Sequence, residues 1–267
     1  MIIKRNLYLD KLIKRRCNGM VKVITGIRRC GKSYLLFHLY HNYLLADGVK
    51  VDHLIEIALD DIENTELRNG MTLYKHIKER VTNDDQFYVF LDEIQFVSNF
   101  TDVINGLGHI DNLDIYVTGS NSRFLSSDIL TEFRGRGDEI RIYPLVFSEF
   151  FNAVGGDKKE IWKEYFTYGG LPQIIFRKDE EMKVSFLENL FSKVYLSDIC
   201  ERNNIRHSEE LDRLVDIVAS SIGSLTNTNK LSNTFKSTGK SRIDNKTIKY
   251  YLDYLTESFL LSRAVRY

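Results

Sequence analysis

Residues 23–36 read VITGIRRCGKSYLL and contain the spacing G-x-x-x-x-G-K-S, which runs from Gly26 to Ser33. This spacing is typical of a phosphate-binding loop, in which glycines allow backbone amides to approach a phosphate closely. The motif needs a strand before it and a helix after it. Residues 20–25 have the apolar, β-branched composition of a strand, and residues 33–46 repeat leucine and tyrosine at helical spacing. The stretch therefore predicts a strand, a phosphate loop and a helix in succession.

Two side chains of this loop have distinct expected roles. Lys32 would reach the β- and γ-phosphates of a nucleotide, and the hydroxyl of Ser33 would coordinate Mg²⁺. The positive end of the following helix dipole acts on the same site. The residues expected to bind the nucleotide are Gly26, Ile27, Arg28, Arg29, Cys30, Gly31, Lys32, Ser33 and Tyr34.

A second acidic motif follows a buried-type strand. Residues 87–91 read FYVFL and are followed by Asp92 and Glu93. Such a strand delivers one carboxylate to the metal, here Asp92, while the next acid orients or deprotonates the attacking water. The carboxylate of Glu93 favours hydrolysis over phosphoryl transfer to a small substrate, although a phosphotransferase stays open as an alternative.

The neighbouring strand, residues 113–118, ends before Ser120 and Asn121. A polar side chain there could hydrogen-bond the γ-phosphate or the attacking water. The alternative is a simple turn or helix cap, which serine and asparagine often form. The pattern does not choose between the two residues.

Composition bounds the class of protein. The chain has 267 residues, is 43% hydrophobic and carries no net charge, so no global field favours nucleic acid. Residues 220–267 nevertheless hold eight basic and three acidic residues.

The three cysteines are odd in number and form no C-x-x-C pair, which argues against a disulfide framework or zinc site. No segment reaches membrane-span or signal-peptide character, so we expect a cytoplasmic protein without membrane contact.

Strands alternate with helices up to residue 146, a pattern that predicts an α/β domain with a parallel sheet. Helical periodicity without strands follows. We expect three parts: a nucleotide-binding core at 1–146, a helical lid at 147–222 and a winged-helix-like segment at 223–267.

The last segment suggests a nucleic-acid reader. Residues 229–237 read as a helix, Asp244 as the N-cap of a second helix, and residues 259–266 as a strand. Helix, turn, helix and strand are typical of the start of a winged-helix DNA-binding module. The cations expected to meet DNA are Arg242, Lys246 and Lys249. Lys246 and Lys249 lie off the apolar stripe of the second helix, which consists of Ile248, Tyr251, Leu252 and Leu255. The alternative is a small helical bundle whose exposed face is basic.

Four motifs of the chain resemble those of a large prokaryotic group of AAA+ ATPases with an AAA_14-type domain. They are VITGIRRCGKS, FYVFLDEI, YVTGSNS and FRGRGDEIRIYPLVFSEFF. YFTYGGLPQIIF is similar to the lid motif of that group, and TIKYYLDYLTESFLL to its winged-helix entry. The resemblance implies a parallel sheet of order 5-1-4-3-2, ATP as the nucleotide and Mg²⁺ as its metal. Members of the group usually continue into a restriction-endonuclease-like domain, so the end at Tyr267 suggests a truncated chain, and no nuclease is expected here.

The resemblance also gives a role to the arginines of FRGRG, Arg134 and Arg136. In AAA+ proteins an arginine at this position faces the neighbouring subunit and completes its site, so a homo-oligomer is expected, with Arg136 the better match. A guanidinium suits this role because it neutralises transition-state charge without losing its own. The alternative is that both are solvated helix-end cations.

The sequence therefore predicts a Mg²⁺-dependent AAA+ ATPase coupled to DNA or a protein partner. The expected catalytic residues are Glu93, Lys32, Arg136, Asn121 and Ser120, with Ser33 and Asp92 as metal ligands. The alternative is a nucleotide-dependent switch with negligible turnover, which acts as an interaction or DNA-binding module.

Overall fold

The computed structural model describes residues 2–120, 135–206, 208–238 and 243–264. The chain packs as two compact units, Met1–Arg177 and Lys178–Tyr267. The three-part division at residues 146 and 222 stays a prediction. The expected helix at residues 127–133 lies outside the described residues.

The first unit is built on five parallel strands. They are β1 (Val21–Thr25), β2 (Leu54–Ala58), β3 (Phe87–Asp92), β4 (Leu113–Gly119) and β5 (Gly137–Arg141). Their order in the sheet is β2-β3-β4-β1-β5, which confirms the predicted 5-1-4-3-2 arrangement of a P-loop NTPase. Because all five strands run the same way, the carboxyl ends of β1, β3 and β4 meet at one edge.

Helices cover both faces of the sheet. The described helices of this unit are α1 (Asn6–Arg15), α2 (residues 32–46), α3 (Gly70–Arg80), α4 (Phe100–Leu107), α5 (Phe147–Val154) and α6 (Lys158–Tyr168). Helix α2 includes a π-helical stretch at Leu35–Tyr40. Neighbouring strand residues point to opposite faces, and so they belong to two separate cores.

The two cores share the strands. One core joins residues such as Val89 and Val117 to α3 and α4. The other joins Phe90 and Tyr116 to α1 and α2. Strands buried on both faces explain the nearly continuous apolar run of FYVFL in β3.

A buried ion pair links the amino-terminal halves of β1 and β4. Lys22 and Asp114 are both buried, and the ammonium of Lys22 contacts the carboxylate of Asp114. The hydroxyl of Tyr116 donates to the same carboxylate at 2.7 Å and lies 2.6 Å from the hydroxyl of Tyr40. The pair therefore has the additional hydrogen bonds that a buried charge needs.

The second unit is helical. It contains α7 (residues 180–203), α8 (Ser208–Ala219), α9 (Thr228–Thr238) and α10 (Asn245–Glu257). Asp244 caps α10 as predicted, because its side chain accepts a hydrogen bond from the amide of Thr247 at 2.7 Å. The predicted apolar stripe also packs inward, since Ile248, Tyr251 and Leu255 are buried.

The expected strand at residues 259–266 is wrong for its described part, residues 259–264. Phe259 has a positive φ of 60°, and the amides of Leu260 and Leu261 donate back to the carbonyl of Leu255 at 3.0 and 3.2 Å. Both leucines pack against the helical core of this unit. The run is apolar because it closes the end of α10, not because it pairs with another strand.

Candidate functional site

The phosphate loop lies between β1 and α2, where the sequence predicts it. Gly26 has a φ of +146°, and a Cβ at this position would lie 2.2 Å from the carbonyl oxygen of Ile142. Glycine is therefore required, since any side chain would collide with backbone. Gly31, at the start of α2, has a left-handed backbone with a φ of 100°.

Lys32 is held inside the loop. Its side chain is only 3% exposed, and its Nζ donates to the carbonyl oxygens of Gly26 at 3.1 Å and Ile27 at 3.3 Å. The loop therefore curves around a positive charge. That arrangement suits an anionic ligand, because a lysine can transfer its hydrogen bonds from carbonyl to phosphate oxygens.

The central contact of the site joins the loop to β3. The hydroxyl of Ser33 donates to Oδ2 of Asp92 at 2.6 Å, and the hydroxyl of Thr118 donates to Oδ1 of the same carboxylate. Asp92 is 4% exposed. Burial raises the pKa of Asp92 above its ordinary value, while the hydrogen bonds from Ser33 and Thr118 oppose that shift.

The oxygens of Ser33 and Asp92 are of the chemical kind that Mg²⁺ prefers. Mg²⁺ is usually held by one or two protein oxygens together with phosphate oxygens and water. Over the described parts of the chain there is no cluster of three or more His, Cys, Asp or Glu residues that could hold a metal by itself. The donor set therefore fits a metal that arrives with a phosphate ligand.

Glu93 follows Asp92 at the point where β3 ends. Its backbone is left-handed, with a φ of 52°, which is uncommon for a residue other than glycine. Its amide donates to the hydroxyl of Thr118 at 3.0 Å, and its carboxylate accepts a hydrogen bond from the side chain of Gln95. Glu93 is half-buried, so its carboxylate is held beside Asp92 but is not sealed from solvent.

Thr118 is a site residue that the sequence analysis missed. One hydroxyl donates to the carboxylate of Asp92 and accepts the amide of Glu93, and so it ties β4 to both acids. Only the register of β3 and β4 indicates this role. Leu91 pairs with Val117, so the residues that follow them, Asp92 and Thr118, are neighbours across the two strands.

The described residues include one of the two predicted γ-phosphate sensors, Ser120. Ser120 is buried at the end of β4, and its hydroxyl accepts a hydrogen bond from Nε of Arg28 at 3.4 Å. It therefore lies beside the phosphate loop, as its proposed role requires. Asn121 lies outside the described residues, so the choice between the two stays a prediction.

Arg136 lies away from these residues. It is exposed just before β5, and its carbonyl accepts the amide of Val21, the first residue of β1. This is the amino-terminal edge of the sheet, opposite to the phosphate loop. Arg136 therefore does not reach the site of its own chain, and its expected role toward a neighbouring subunit stays a prediction. Arg134 lies outside the described residues.

Arg5 fixes the outer side of the loop. Its guanidinium is 3% exposed and donates to the carbonyl of Cys30 at 3.0 Å, the carbonyl of Tyr143 at 2.7 Å and the carboxylate of Glu149 at 3.0 Å. These acceptors belong to the loop, the segment after β5 and the first turn of α5. The thiol of Cys30 is buried, which raises its pKa and makes it a poor nucleophile.

A cavity of about 170 Å³ adjoins the loop. It is small beside the roughly 300–1,000 Å³ of pockets for drug-sized ligands, and it suits a single flat ring system. Its lining is mainly apolar and consists of Ile3, Arg5, Gly31, Tyr34, Leu145, Pro172, Gln173 and Phe176.

Comparison with known families places two matches on the chain. A family model described as an AAA domain matches residues 18–151, which contain the loop and all five strands. A model described as a domain of unknown function, DUF8612, matches residues 159–267. No helix within the described residues is long and apolar enough to cross a membrane.

Two curated relatives are similar along the chain. An uncharacterized protein of Haemophilus influenzae is 34% identical over 272 residues, covering 100% of this chain and 67% of that protein. An uncharacterized protein of Methanocaldococcus jannaschii is 30% identical over 276 residues, covering 97% of this chain and 58% of that protein. The chain thus spans about two thirds of the first relative and less of the second.

A solved structure has the same fold. It is a Walker-type ATPase of Pyrococcus abyssi, which is 18% identical and aligns with a TM-score of 0.63. The alignment covers 96% of this chain and 90% of that chain.

We expect Thr118→Val to destabilise the protein. The substitution keeps the shape of the side chain but leaves Asp92 without one donor and the amide of Glu93 without its acceptor, a loss of about 1–3 kcal/mol in the free energy of unfolding. Urea denaturation measures this change. Thr118→Ser keeps the hydroxyl and is the control, and a Val variant more stable than the Ser variant would contradict the role of the hydroxyl.

Proposed function

We propose that the chain, which belongs to the AAA domain family, binds ATP with Mg²⁺ and hydrolyses it. The observation that carries the proposal is the 2.6 Å hydrogen bond from Ser33 to Asp92, which brings the phosphate loop and the strand-end acid into one site. Lys32 supplies the positive charge next to them. These three groups are what a nucleotide-bound magnesium site requires.

In this proposal the loop binds the phosphates and Lys32 neutralises charge on the β- and γ-phosphates. Ser33 and Asp92 would hold Mg²⁺, which when bound would neutralise further charge on the phosphate oxygens. Hydrolysis begins when the carboxylate of Glu93 takes a proton from water, whose oxygen attacks the γ-phosphorus. The bond to the bridging oxygen then breaks, and ADP carries away the electron pair.

The cavity beside Gly31 and Tyr34 provides a place for the base. It adjoins the start of α2, on which the phosphates would lie, and its apolar lining suits a flat aromatic ring. A nucleotide can therefore place its phosphates in the loop and its base in the cavity. The preference for ATP over GTP follows from family membership and from the absence of an [NT]-K-x-D motif in the sequence.

We expect Glu93→Gln to bind ATP with unchanged affinity and to hydrolyse it at least about 10²-fold more slowly, since the amide cannot accept the proton of water. Titration calorimetry and a steady-state phosphate-release assay measure the two quantities. Glu79→Gln, an exposed site at the end of α3, is the matched control and should leave both unchanged. Unaltered turnover in Glu93→Gln would place the water-activating group elsewhere.

The same assay separates the alternatives. A nucleotide-dependent switch would bind ATP but release phosphate negligibly in the unaltered protein, with or without DNA. A phosphotransferase would release little phosphate until an acceptor is added. Both alternatives retain the loop, so Lys32→Ala should abolish tight ATP binding in all three cases.

The active form in this proposal is an oligomer in which Arg136 completes the site of the neighbouring subunit. The support is its position. It is exposed at the sheet edge opposite to its own loop, where another copy can meet it.

Arg136→Ala should leave ATP affinity intact and lower turnover by roughly 10³-fold, because an arginine supplied in trans stabilises transition-state charge. Mixing Arg136→Ala with Lys32→Ala subunits should restore part of the activity, as each supplies the group that the other lacks. Arg80→Ala, another exposed arginine, is the control. Constant turnover per subunit after dilution to a proven monomer would contradict the shared site.

DNA is the partner we propose for the second unit. Lys246, Lys249 and Tyr250 are all exposed on α10, whose opposite side is buried. The ammonium of Lys246 lies 5.8 Å from the ring centre of Tyr250. Exposed cations suit the phosphates of a nucleic acid, and an exposed aromatic ring suits contact with its bases. The third predicted cation, Arg242, lies outside the described residues.

Replacing Lys246 and Lys249 together with alanine should flatten the log–log dependence of DNA affinity on salt by roughly 2 units, because two phosphate contacts are lost. Fluorescence anisotropy with duplex DNA at several salt concentrations measures the slope. Lys75 and Lys78 on α3 have the same spacing and are exposed, so their double alanine variant is the control. No DNA binding at low salt would leave the basic helical bundle as the better description.

A further inference from the structure

The GGLPQ stretch, residues 169–173, contains a buried polar atom that the proposed hydrolysis does not use. Oε1 of Gln173 is buried and has no hydrogen-bond partner among the residues that the structure describes. Buried polar atoms are nearly always paired in native proteins, so each exception needs a physical reason. A ligand that brings a donor would be such a reason.

Gln173 lines the cavity that adjoins the phosphate loop. Among the lining residues Arg5 carries a charge, but its guanidinium already donates to three protein acceptors. Most of the remaining lining is apolar. Gln173 therefore places a side-chain amide, whose oxygen is buried and unpaired, at a cavity that otherwise offers a ligand mainly van der Waals contact.

The backbone that carries Gln173 is fixed in place. The carbonyl of Gly170 accepts the amide of Leu145 at 2.7 Å, and a Cβ on Gly170 would lie 2.1 Å from the carbonyl oxygen of Leu145. Pro172–Ile174 then forms a 3-10 turn whose last residue is fully buried. The carbonyl of Gln173 accepts from Nη1 of Arg177 at 2.6 Å. A site held this way is preorganised for recognition.

We propose that Gln173 is a specificity-determining residue that recognises the exocyclic amine of adenine. This inference rests on the proposed function, since it places the base of a loop-bound nucleotide in the cavity. The amine is a donor and pairs with Oε1 when the amide group of Gln173 turns toward the cavity about its terminal torsion. The amide nitrogen of glutamine can then donate to a neighbouring ring nitrogen, which is the paired pattern by which amides recognise adenine.

Guanine has a carbonyl oxygen where adenine has the amine. That oxygen would face Oε1 as a second acceptor and leave both without a hydrogen. A purine that lacks the amine would likewise leave Oε1 unpaired, so the site should discriminate against it by about 10- to 100-fold.

The experiment compares ATP with purine riboside triphosphate, which has the same ring system without the amine. Titration calorimetry with Mg²⁺ should show that the unaltered protein binds ATP about 10- to 100-fold more tightly. Gln173→Met should bind the two nucleotides with equal affinity, because it has no acceptor for the amine. Gln173→Glu retains an acceptor and should retain the preference for ATP, whatever its effect on overall affinity.

Two controls separate recognition of the base from general damage. Inorganic tripolyphosphate probes the loop alone and should bind equally to the unaltered protein and Gln173→Met. Asn203→Leu, in the second unit, removes another buried amide whose oxygen has no partner within the described part of the chain, and it should keep the preference for ATP.

Equal affinity of the unaltered protein for the two nucleotides would overturn the inference while leaving the proposed function intact. A preference for ATP that persists in Gln173→Met would also overturn it, because another group would then read the amine. Failure of the unaltered protein to bind any triphosphate, including tripolyphosphate, would instead refute the proposed function itself.

Discussion

The structure of the site depends on one buried carboxylate, that of Asp92. A charge in this position is costly unless hydrogen bonds satisfy it, and here the donors come from the loop through Ser33 and from β4 through Thr118. The same two bonds that stabilise the carboxylate also hold three separate segments together. Stability and site geometry therefore rest on the same atoms, and a change that loosens one loosens the other.

The local parts of this arrangement could be predicted from the sequence. The loop from Gly26 to Ser33 and the acid pair after β3 are continuous motifs, and their flanking strand and helix have clear periodicity. The sheet order follows from the family resemblance and is confirmed. The loop and the acid pair can be predicted because the residues that define each of them are neighbours in the chain.

The rest depends on distances that a linear pattern does not contain. Thr118 becomes a site residue only through the register of β3 and β4, and Arg5 only because three remote segments meet at its guanidinium. The run at residues 259–264 shows the opposite error. Its composition is typical of a strand, yet the chain folds back on α10 here and its leucines pack against the helical core. An apolar run in the sequence does not by itself distinguish a buried strand from a segment that packs back on a helix.

The contacts of Arg5 have a practical consequence for work with this protein. The side chain that supports the phosphate loop at Cys30 comes from the fifth residue of the chain. Trimming the amino terminus to the first helix, a common step in preparing a minimal domain, would remove it without touching any recognisable motif.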